Sequence, residues 1–345
     1  MDLALIVLIL LGLGFDFING FNDSSAIVAS MISTRAMSPR KALVMTALFE
    51  FSGPFIFGVA VATTIGHEVV SGKLITLGVI YAAVISAILW DLLVWYLALP
   101  SSSTHAMIGG IVGSSVMANL LTLIQNHRIH RIADLWQAFA IIKPAGIEKV
   151  VLSLLLSPIL GFAAAFFLMK LIYVIGKSLR PSANNVFRKG QIPAGIALAL
   201  SHGTNDSQKT MGIITMALLS KGVIHNFDVP DWVMLACASA IALGVGTGAW
   251  RLIKTLGGRI YRLRPVDGFT AQISSATVII TASLVGGPVS TTHVVSSSIM
   301  GAGAADRWTK VRWGVGRSIL MAWVMTFPGT ALLSAILYLF TRGIS

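Results

Sequence analysis

Long apolar runs alternate with short polar or basic stretches along the chain. Runs such as Ala42 to Ile65 and Val150 to Ile175 exceed the roughly 20 residues that an α-helix needs to cross a bilayer. Two further runs, Leu3 to Phe17 and Ile192 to Leu200, lead directly into polar stretches that contain a carboxylate. The pattern predicts an all-α integral membrane protein with about 10–12 transmembrane segments or half-segments.

The two polar stretches are expected to interrupt their helices. Placing a carboxylate in hydrocarbon costs roughly 2.5–3.5 kcal/mol even on the lenient insertion scale. Residues 19–25 in the first half and 201–209 in the second half therefore predict two broken helices. The backbone groups freed by such a break must face protein, water or a ligand.

Each polar stretch belongs to a pair of motifs that occurs twice. Gly20-Phe21-Asn22-Asp23-Ser24 in the first half matches Gly203-Thr204-Asn205-Asp206-Ser207 in the second. Pro100-Ser101-Ser102-Ser103-Thr104-His105 begins 78 residues after Asn22, and Pro288-Val289-Ser290-Thr291-Thr292-His293 begins 83 residues after Asn205. The same order and similar spacing indicate an internal duplication, which is typical of secondary transporters with interrupted helices.

Loop charge predicts the orientation of the two halves. Basic residues without acidic neighbours occupy residues 35–41 and 177–189, and the most basic block is 251–264. Two loops are nearly neutral or acidic, 66–73 and 221–231. Because basic loops face the cytoplasm, corresponding segments run in opposite directions and the repeats are inverted. This rule places the N-terminus outside, and it leaves open the sides of 125–149 and 306–317.

We therefore expect a multi-pass protein of the plasma membrane built from two inverted repeats. The first repeat covers residues 1–176 and the second covers 192–345, with a basic cytoplasmic linker at 177–191. Each repeat is expected to contain one broken helix and one re-entrant helical hairpin, whose second arm follows Pro100 or Pro288.

Composition supports the membrane assignment. Of the 345 residues, 55% are hydrophobic and 11% are charged, whereas soluble domains are about 25% charged. The net charge of +12 does not indicate nucleic-acid binding, since the basic residues lie in short blocks between apolar runs. The single cysteine, Cys237, excludes an internal disulfide and a cysteine metal cluster.

The hydroxyl clusters that follow the two prolines are candidate anion ligands. A helix N-terminus carries roughly +0.5 charge and directs free N–H groups at anions. Ser102, Ser103, Thr104, Ser290, Thr291 and Thr292 all lie where a new helix is expected to start. Two such clusters facing each other would suit a tetrahedral oxyanion. The alternative is that each cluster only caps its helix.

The Asn–Asp pairs have the opposite chemistry. Their carboxylate and amide oxygens, with the neighbouring serine hydroxyl, suit a small hard cation such as Na⁺, and a carboxylate can instead carry a proton. The candidate cation ligands are Asn22, Asp23, Asn205, Asp206, Ser207 and the intramembrane Glu50. An Asn–Asp pair in a soluble loop is usually a turn, but here it recurs within apolar runs.

Four other residues have two interpretations each. His105 and His293 either carry protons or make structural hydrogen bonds, and neither has the histidine spacing of a transition-metal site. Asp91, like Glu50, either binds an ion or pairs with a base. Lys209, three residues after Asp206, either neutralises that carboxylate or reaches an anion.

At these motifs the chain resembles the inorganic phosphate transporter (PiT) family of phosphate permeases. The matching segments are Gly20–Asp23, Leu99–His105, Asn205–Gly212, Gly248–Lys254 and Pro288–His293. The resemblance implies two inverted repeats with re-entrant hairpins, a homodimer, and transport of inorganic phosphate with Na⁺ or H⁺. It also implies that the Asn–Asp pairs bind the cation, and that the hydroxyl clusters and Gln208 bind phosphate.

The function predicted from these features is cation-coupled import of inorganic phosphate by alternating access, without a cofactor or catalysis. The coupling cation is Na⁺, with H⁺ as the alternative. Three other functions are considered: a permease for sulfate or another oxyanion, a membrane-embedded metal-dependent phosphohydrolase, and a passive anion channel.

Overall fold

The computed structural model describes residues 2–70, 75–129, 131–176 and 183–344, and these are almost entirely helical. The first half contains α1 Leu3–Ser33, α2 Pro39–Phe57, α3 Ala60–Thr63, α4 Leu77–Tyr96, α5 Ser103–Gln125 and α6 Pro144–Ile175. The second half contains α7 Ala183–Ser220, α8 Asp231–Thr247, α9 Trp250–Lys254, α10 Pro265–Leu284, α11 Thr291–Asp306 and α12 Trp313–Thr341. The predicted all-α membrane fold with helical hairpins is confirmed.

Five of the described helices are long and apolar enough to cross a membrane singly: α1, α4, α5, α6 and α12. Two bent pairs, α2 with α3 and α8 with α9, raise that number to seven if each pair is one span. The remaining long helices, α7 and α10, have a larger share of polar residues than these.

The prediction that the polar stretches break their helices is wrong. α1 runs unbroken through Asn19–Ser25, and α7 runs unbroken through Ser201–Lys209. Several hydroxyls in these stretches bond to carbonyls of their own helix, such as Ser24 Oγ to the carbonyl of Phe21 and Ser207 Oγ to that of Gly203. Other polar side chains in these stretches bond to neighbouring helices, such as Asn19 to Asp206 and Asn205 to Ser283, so the backbone stays helical.

The breaks lie instead at two glycines with positive φ. Gly58 has φ 79° and separates α2 from α3, and Gly248 has φ 69° and separates α8 from α9. Glycine adopts this left-handed conformation without a steric penalty. The axes bend by 74° at the first break and by 62° at the second.

Each short helix beyond a break continues into a π-helical turn, Thr64–Glu68 or Thr255–Arg259. Much of the basic block 251–264 is therefore not the loop that the sequence predicted. Trp250–Arg259 is a bent helical segment, and its side chains Leu252, Ile253 and Leu256 are buried. Residues 71–73 of the predicted outer loop lie outside the described residues.

The packing of the two halves is reciprocal. α1 packs on α8 as α7 packs on α2, and α5 packs on α12 as α11 packs on α6. α4 with α5 and α10 with α11 form two hairpins, which meet at their tips, where Thr104 Oγ1 donates to the carbonyl of Val289 over 2.8 Å. A two-fold relation between the halves requires such reciprocal helix pairs. The opposite orientation of the halves in a membrane stays a prediction.

The linker expected at 177–191 is helical in its second part. Residues 177–182 lie outside the described residues, and α7 begins at Ala183. The second half therefore starts as a helix earlier than the apolar pattern predicted. The three-part division of the chain stays a prediction.

Small residues allow the closest helix contacts. A Cβ at Gly203 of α7 would overlap the carbonyl oxygen of Glu50 on α2, and a Cβ at Gly244 of α8 would overlap that of Phe17 on α1. Gly14, also on α1, has open space around it. Close backbone approach through small residues is a common way for membrane helices to associate.

We expect Gly203→Ala to destabilise the protein by about 1–3 kcal/mol, because the added methyl must push α2 away from α7. Gly14→Ala is the matched control and should leave stability unchanged or slightly raised, since alanine favours the helix. Thermal unfolding of the purified variants in detergent checks both. Equal midpoints for Gly203→Ala and the parent protein would contradict the packing described here.

Candidate functional site

α1 and α7 cross at the centre of the protein and bring the two Asn–Asp motifs together. Asp23 and Asp206 are both buried, although the motifs are 183 residues apart in sequence. Asn19 of α1 donates from Nδ2 to Asp206 Oδ2 over 3.3 Å, which links the two helices directly. The acidic residues thus face each other from intact helices.

His202 lies between three carboxyl groups. Its Nε2 atom is 3.2 Å from Asp206 Oδ2 and 3.6 Å from Asp23 Oδ2, and its Nδ1 atom is 2.9 Å from Glu50 Oε1. The imidazole is completely buried. Nitrogen of His202 and one oxygen of each aspartate lie within 4.8 Å of one another, a spacing that would fit a bound cation.

The hydroxyl clusters at the hairpin tips contact these carboxylates. Thr292 donates to Asp23 Oδ1, and Thr291 Oγ1 donates to Asp206 Oδ1 over 3.4 Å. These contacts place the start of α11 directly against both aspartates. Two predicted anion ligands of α11 are therefore in contact with two predicted cation ligands of α1 and α7.

Lys209 connects the second aspartate to the other hairpin. Its Nζ atom donates to Asp206 Oδ2 over 2.7 Å, to Ser103 Oγ over 2.7 Å and to Thr104 Oγ1 over 3.2 Å. The side chain is fully buried. Lys209 therefore neutralises Asp206, and its ammonium also lies against the hydroxyls of α5. That it reaches an anion stays a prediction.

Ser102 and Ser290 are the N-caps of α5 and α11. Each hydroxyl accepts from the backbone N–H three residues on, at His105 over 3.1 Å and at His293 over 3.4 Å. Capping orients the free N–H groups of each first turn. The capping interpretation is therefore correct for these two serines and is compatible with an anion site at the same helix starts.

The two motif histidines lie beside the hairpin tips. Their rings are 4.7 Å apart, His105 Nδ1 is 2.7 Å from Ser102 Oγ, and His293 stacks on Trp323 at 3.8 Å. These contacts are those of positioning residues. Neither ring is among the groups in contact with Asp23 or Asp206 in the described residues.

The other residues of the second motif have structural contacts. The Asn205 amide is 2.9 Å from Ser283 Oγ and also contacts the backbone of Val289, so it joins α7 to the tip of the second hairpin. Ser207 donates to the carbonyl of Gly203 over 2.6 Å. With its amide oriented to satisfy its neighbours, Asn205 also donates to Asp206 Oδ1 over 3.3 Å.

Gln208 caps the break between α2 and α3. Its Oε1 accepts from the N–H groups of Val61 at 2.8 Å and Ala62 at 3.1 Å, and its Nε2 donates to the carbonyl of Gly58 over 2.6 Å. In the other half Ser24 Oγ accepts from the N–H of Ala249 beside the second break. The amide oxygen and one N–H of Gln208 are thus used at the break, and that the residue binds phosphate stays a prediction.

We expect Gln208→Leu to destabilise the protein by about 1–3 kcal/mol, because it leaves the backbone groups at the break unpaired. Transport should slow, while the phosphate concentration for half-maximal uptake changes less than about twofold, since binding groups remain in place. A large loss of phosphate affinity with unchanged thermal stability would instead favour the ligand role that the sequence predicted. Unfolding midpoints and uptake kinetics separate the two.

A small cavity lies between the Asn–Asp motif of α1 and the first hairpin. It measures about 10 Å³, which is about the room that one water molecule needs. The lining includes Asn22, Asp91, Ser101 and Thr292, and the oxygens Asn22 Oδ1 and Asp91 Oδ2 have no hydrogen-bond partner. The site is closed around groups that suit a cation, and phosphate does not fit without movement of the hairpins.

Two residues of the site were missed in the sequence. His202 lies four residues before Asp206, so one helical turn places both side chains on the same face of α7. Asn19 lies four residues before Asp23 and holds the corresponding place in α1. The four-residue spacing is present in the sequence. It indicates a shared helix face only if α1 and α7 are continuous, whereas the sequence predicted that both are broken there.

Comparison with known proteins gives a consistent set of relatives. Residues 19–334 match the model of the phosphate transporter family. A Bacillus subtilis protein named a probable low-affinity inorganic phosphate transporter is 41% identical, covering 98% of both chains. One of the same name from Rhizobium meliloti is 38% identical, covering 97% of this chain and 95% of its own. A solved structure titled the sodium-dependent phosphate transporter matches with a TM-score of 0.86 and 25% identity over 100% of both chains.

Proposed function

The chain belongs to the phosphate transporter family, and from this premise we propose that it is a symporter that imports inorganic phosphate together with Na⁺. Proton coupling is the alternative. It is a transporter rather than an enzyme, so the phosphohydrolase considered from the sequence is set aside. Both Na⁺ and phosphate are cargo that bind at the same central site.

The charge balance of that site is the observation that supports cation coupling most directly. Four buried carboxyl groups, on Asp23, Glu50, Asp91 and Asp206, are accompanied by two basic groups, on His202 and Lys209. Unpaired charge in a protein interior is costly, so the excess must be neutralised by bound cations or by protons. Adding a phosphate anion raises that requirement further.

The oxygen ligands favour Na⁺. Carboxylate and amide oxygens on Asn22, Asp23 and Asp91 surround the small cavity and include unpaired acceptors. Hard cations prefer such oxygens. The similar solved structure is titled a sodium-dependent phosphate transporter, which supports the same ion here. His202 has a nitrogen instead, and we assign it the role of holding the three carboxyl groups around it in place.

Phosphate is assigned to the two hairpin tips. The N-termini of α5 and α11 supply N–H groups, and Ser103, Thr104, Thr291 and Thr292 supply hydroxyls. Lys209 adds a full positive charge at Ser103 and Thr104. In the closed site Thr292 contacts Asp23, and Thr291 and Lys209 contact Asp206. Ser103 and Thr104 contact the Lys209 ammonium. Phosphate oxygens and Na⁺ would exchange for those contacts when the tips move apart.

Alternating access follows from the reciprocal packing of the halves. The site lies where α1, α7 and both hairpin tips meet, and it is closed to solvent in this structure. A two-fold relation between the halves supplies two equivalent ways of opening it. We also propose that the repeats are inverted in the plasma membrane with the N-terminus outside, and that the protein is a homodimer.

Uptake of labelled phosphate by proteoliposomes tests this function. An inward Na⁺ gradient without a pH gradient should drive accumulation above the equilibrium level, and replacing Na⁺ by choline should abolish it. Accumulation driven only by an inward proton gradient would assign the proton instead. No accumulation under either gradient would contradict symport.

Competition by sulfate tests the nearest rival. Excess sulfate should reduce phosphate uptake by less than about twofold, whereas excess arsenate, which has the geometry and charge of phosphate, should compete fully. Equal competition by sulfate would indicate a general oxyanion permease.

A further inference from the structure

A further buried carboxyl group, on Asp16, lies outside the proposed phosphate and cation site. Asp16 is in α1 and is completely buried. Its Oδ1 atom accepts from Thr210 Oγ1 of α7 over 2.5 Å, whereas its Oδ2 atom has no hydrogen-bond partner. The thiol of Cys237 on α8 lies beside the same carboxyl.

No basic group in the described residues forms an ion pair with Asp16. Charges on Lys209 and Asp206 act on Asp16 from a distance, and Lys209 is already bonded to Asp206 and to the first hairpin. On α4, which also packs on α1, Asp91 lies in the wall of the central cavity and Tyr81 donates to the carbonyl of Ala4. On α2, Glu50 is held by His202.

The position of Asp16 connects it with the central site. Thr210 follows Asp206 by four residues and Asp16 precedes Asn19 by three, so the Asp16–Thr210 pair lies about one helical turn, or roughly 5–6 Å along the axes, from the Asn19–Asp206 pair. Beyond it, toward the start of α1, Gly12 and Ile214 pack together. The contacts between α1 and α7 are thus polar from the site to Asp16 and apolar beyond it.

The fold does not require a carboxyl group at this position. Asp16 precedes Asp23 by seven residues, and the residue seven before Asp206 in α7 is Ala199. Ala199 is completely buried in the corresponding place. An ionised carboxylate without a basic partner in such surroundings is strongly unfavourable, and such a group becomes neutral by taking up a proton. An ionisable group within a membrane segment is a functional candidate by default.

We propose that Asp16 is a proton-binding site of the transport cycle, separate from the groups that hold Na⁺ and phosphate. This inference rests on the proposed symport. When the site opens to water, Asp16 exchanges its proton with that water, and hydronium plus carboxylate become water plus carboxylic acid. The proton then crosses with the cargo, so each transported phosphate carries more acid than its own protonation state provides.

Proteoliposomes loaded with a pH-sensitive dye test this inference. Phosphate uptake is driven by an inward Na⁺ gradient at equal pH, and internal acidification is measured per phosphate for the parent protein and for Asp16→Asn. The amide keeps an acceptor for Thr210 but cannot exchange a proton. We expect acidification lower by about one proton per phosphate, with uptake retained within about threefold. Asp2→Asn removes a half-exposed carboxyl at the start of the same helix and should leave the ratio unchanged.

Equal acidification per phosphate by Asp16→Asn and the parent protein would overturn the proposal.

Infrared spectroscopy detects the protonation of Asp16 independently of transport. The parent protein should show the carbonyl band of a protonated carboxyl that is missing in Asp16→Asn. If that variant does not fold, Asp16→Glu keeps the group and should shift the band, and an unshifted band would overturn the proposal. A parent protein that takes up no phosphate would contradict the symport, and the infrared band would still test Asp16.

Discussion

Asp206→Asn is expected to abolish phosphate accumulation, with uptake falling by about 100-fold or more. Such a loss corresponds to about 3 kcal/mol, which is less than the combined interactions of this carboxylate. Asp206 pairs with Lys209 at 2.7 Å and His202 at 3.2 Å, and it accepts from Asn19 and Thr291. The amide keeps the size of the side chain but removes the charge that both basic groups and the cation need.

The variant is assayed with labelled phosphate in proteoliposomes under an inward Na⁺ gradient. Asp228→Asn is the matched control, because Asp228 lies exposed in the loop between α7 and α8 and should change uptake by less than about twofold. Uptake by Asp206→Asn at half of the parent rate or more would contradict the assignment of Asp206 to the site.

Lys209→Gln is expected to have the second largest effect, on stability as well as on transport. Removing one partner of a buried ion pair costs about 3–5 kcal/mol, because the remaining charge is left without compensation. Lys209 is fully buried, and its ammonium also donates to Ser103 and Thr104. Both folding and the phosphate site should therefore be weakened.

The double variant Asp206→Asn/Lys209→Gln separates these two roles. Replacing both charges by amides should restore much of the lost thermal stability, since neither charge of this pair is then left buried without the other. Phosphate uptake should stay abolished, because the phosphate site has lost its positive charge. A double variant as unstable as Lys209→Gln, or one that transports at the parent rate, would contradict the interpretation of this pair.

Much of the candidate site could be predicted from the sequence because its motifs occur twice. A short polar motif is weak evidence for function when it occurs once and stronger evidence when it is repeated. Taken by itself, neither motif of the first half, Asn22-Asp23 or Ser102-Ser103-Thr104, indicates transport. A similar motif follows in the second half for each of them, in the same order. Intramembrane carboxylates are costly, so their repetition inside apolar runs indicates function. The all-α fold and the resemblance to phosphate permeases, both confirmed, rest on the same residues.

The place where the helices break could not be predicted from polarity. We expected the backbone to unwind at Asn22 and Asn205, but both helices are intact and the breaks lie at Gly58 and Gly248. A polar side chain has other ways to find partners than unwinding its helix, through neighbouring helices and its own carbonyls. A positive φ is available to glycine at low cost, so the glycines were the more reliable signal.

Contacts between distant segments decided the roles of single residues. Gln208 binds the break in the other half, which no local pattern around it reveals. His202 acquires its role only because Asp23 and Glu50 arrive from α1 and α2. Asp16 lies in an apolar run of the sequence, and only the structure shows that no basic group of the described residues pairs with it.

The position of a bound phosphate analogue tests whether the two hairpin tips together bind phosphate. Arsenate has the shape of phosphate and can be located by its anomalous scattering in crystals of the protein grown with Na⁺. We predict a single arsenate site between the hairpin tips. Its oxygens should lie within hydrogen-bond distance of at least one hydroxyl from each tip, Ser103 or Thr104 in α5 and Thr291 or Thr292 in α11. Arsenate bound elsewhere in the protein, away from both hairpin tips, would contradict it.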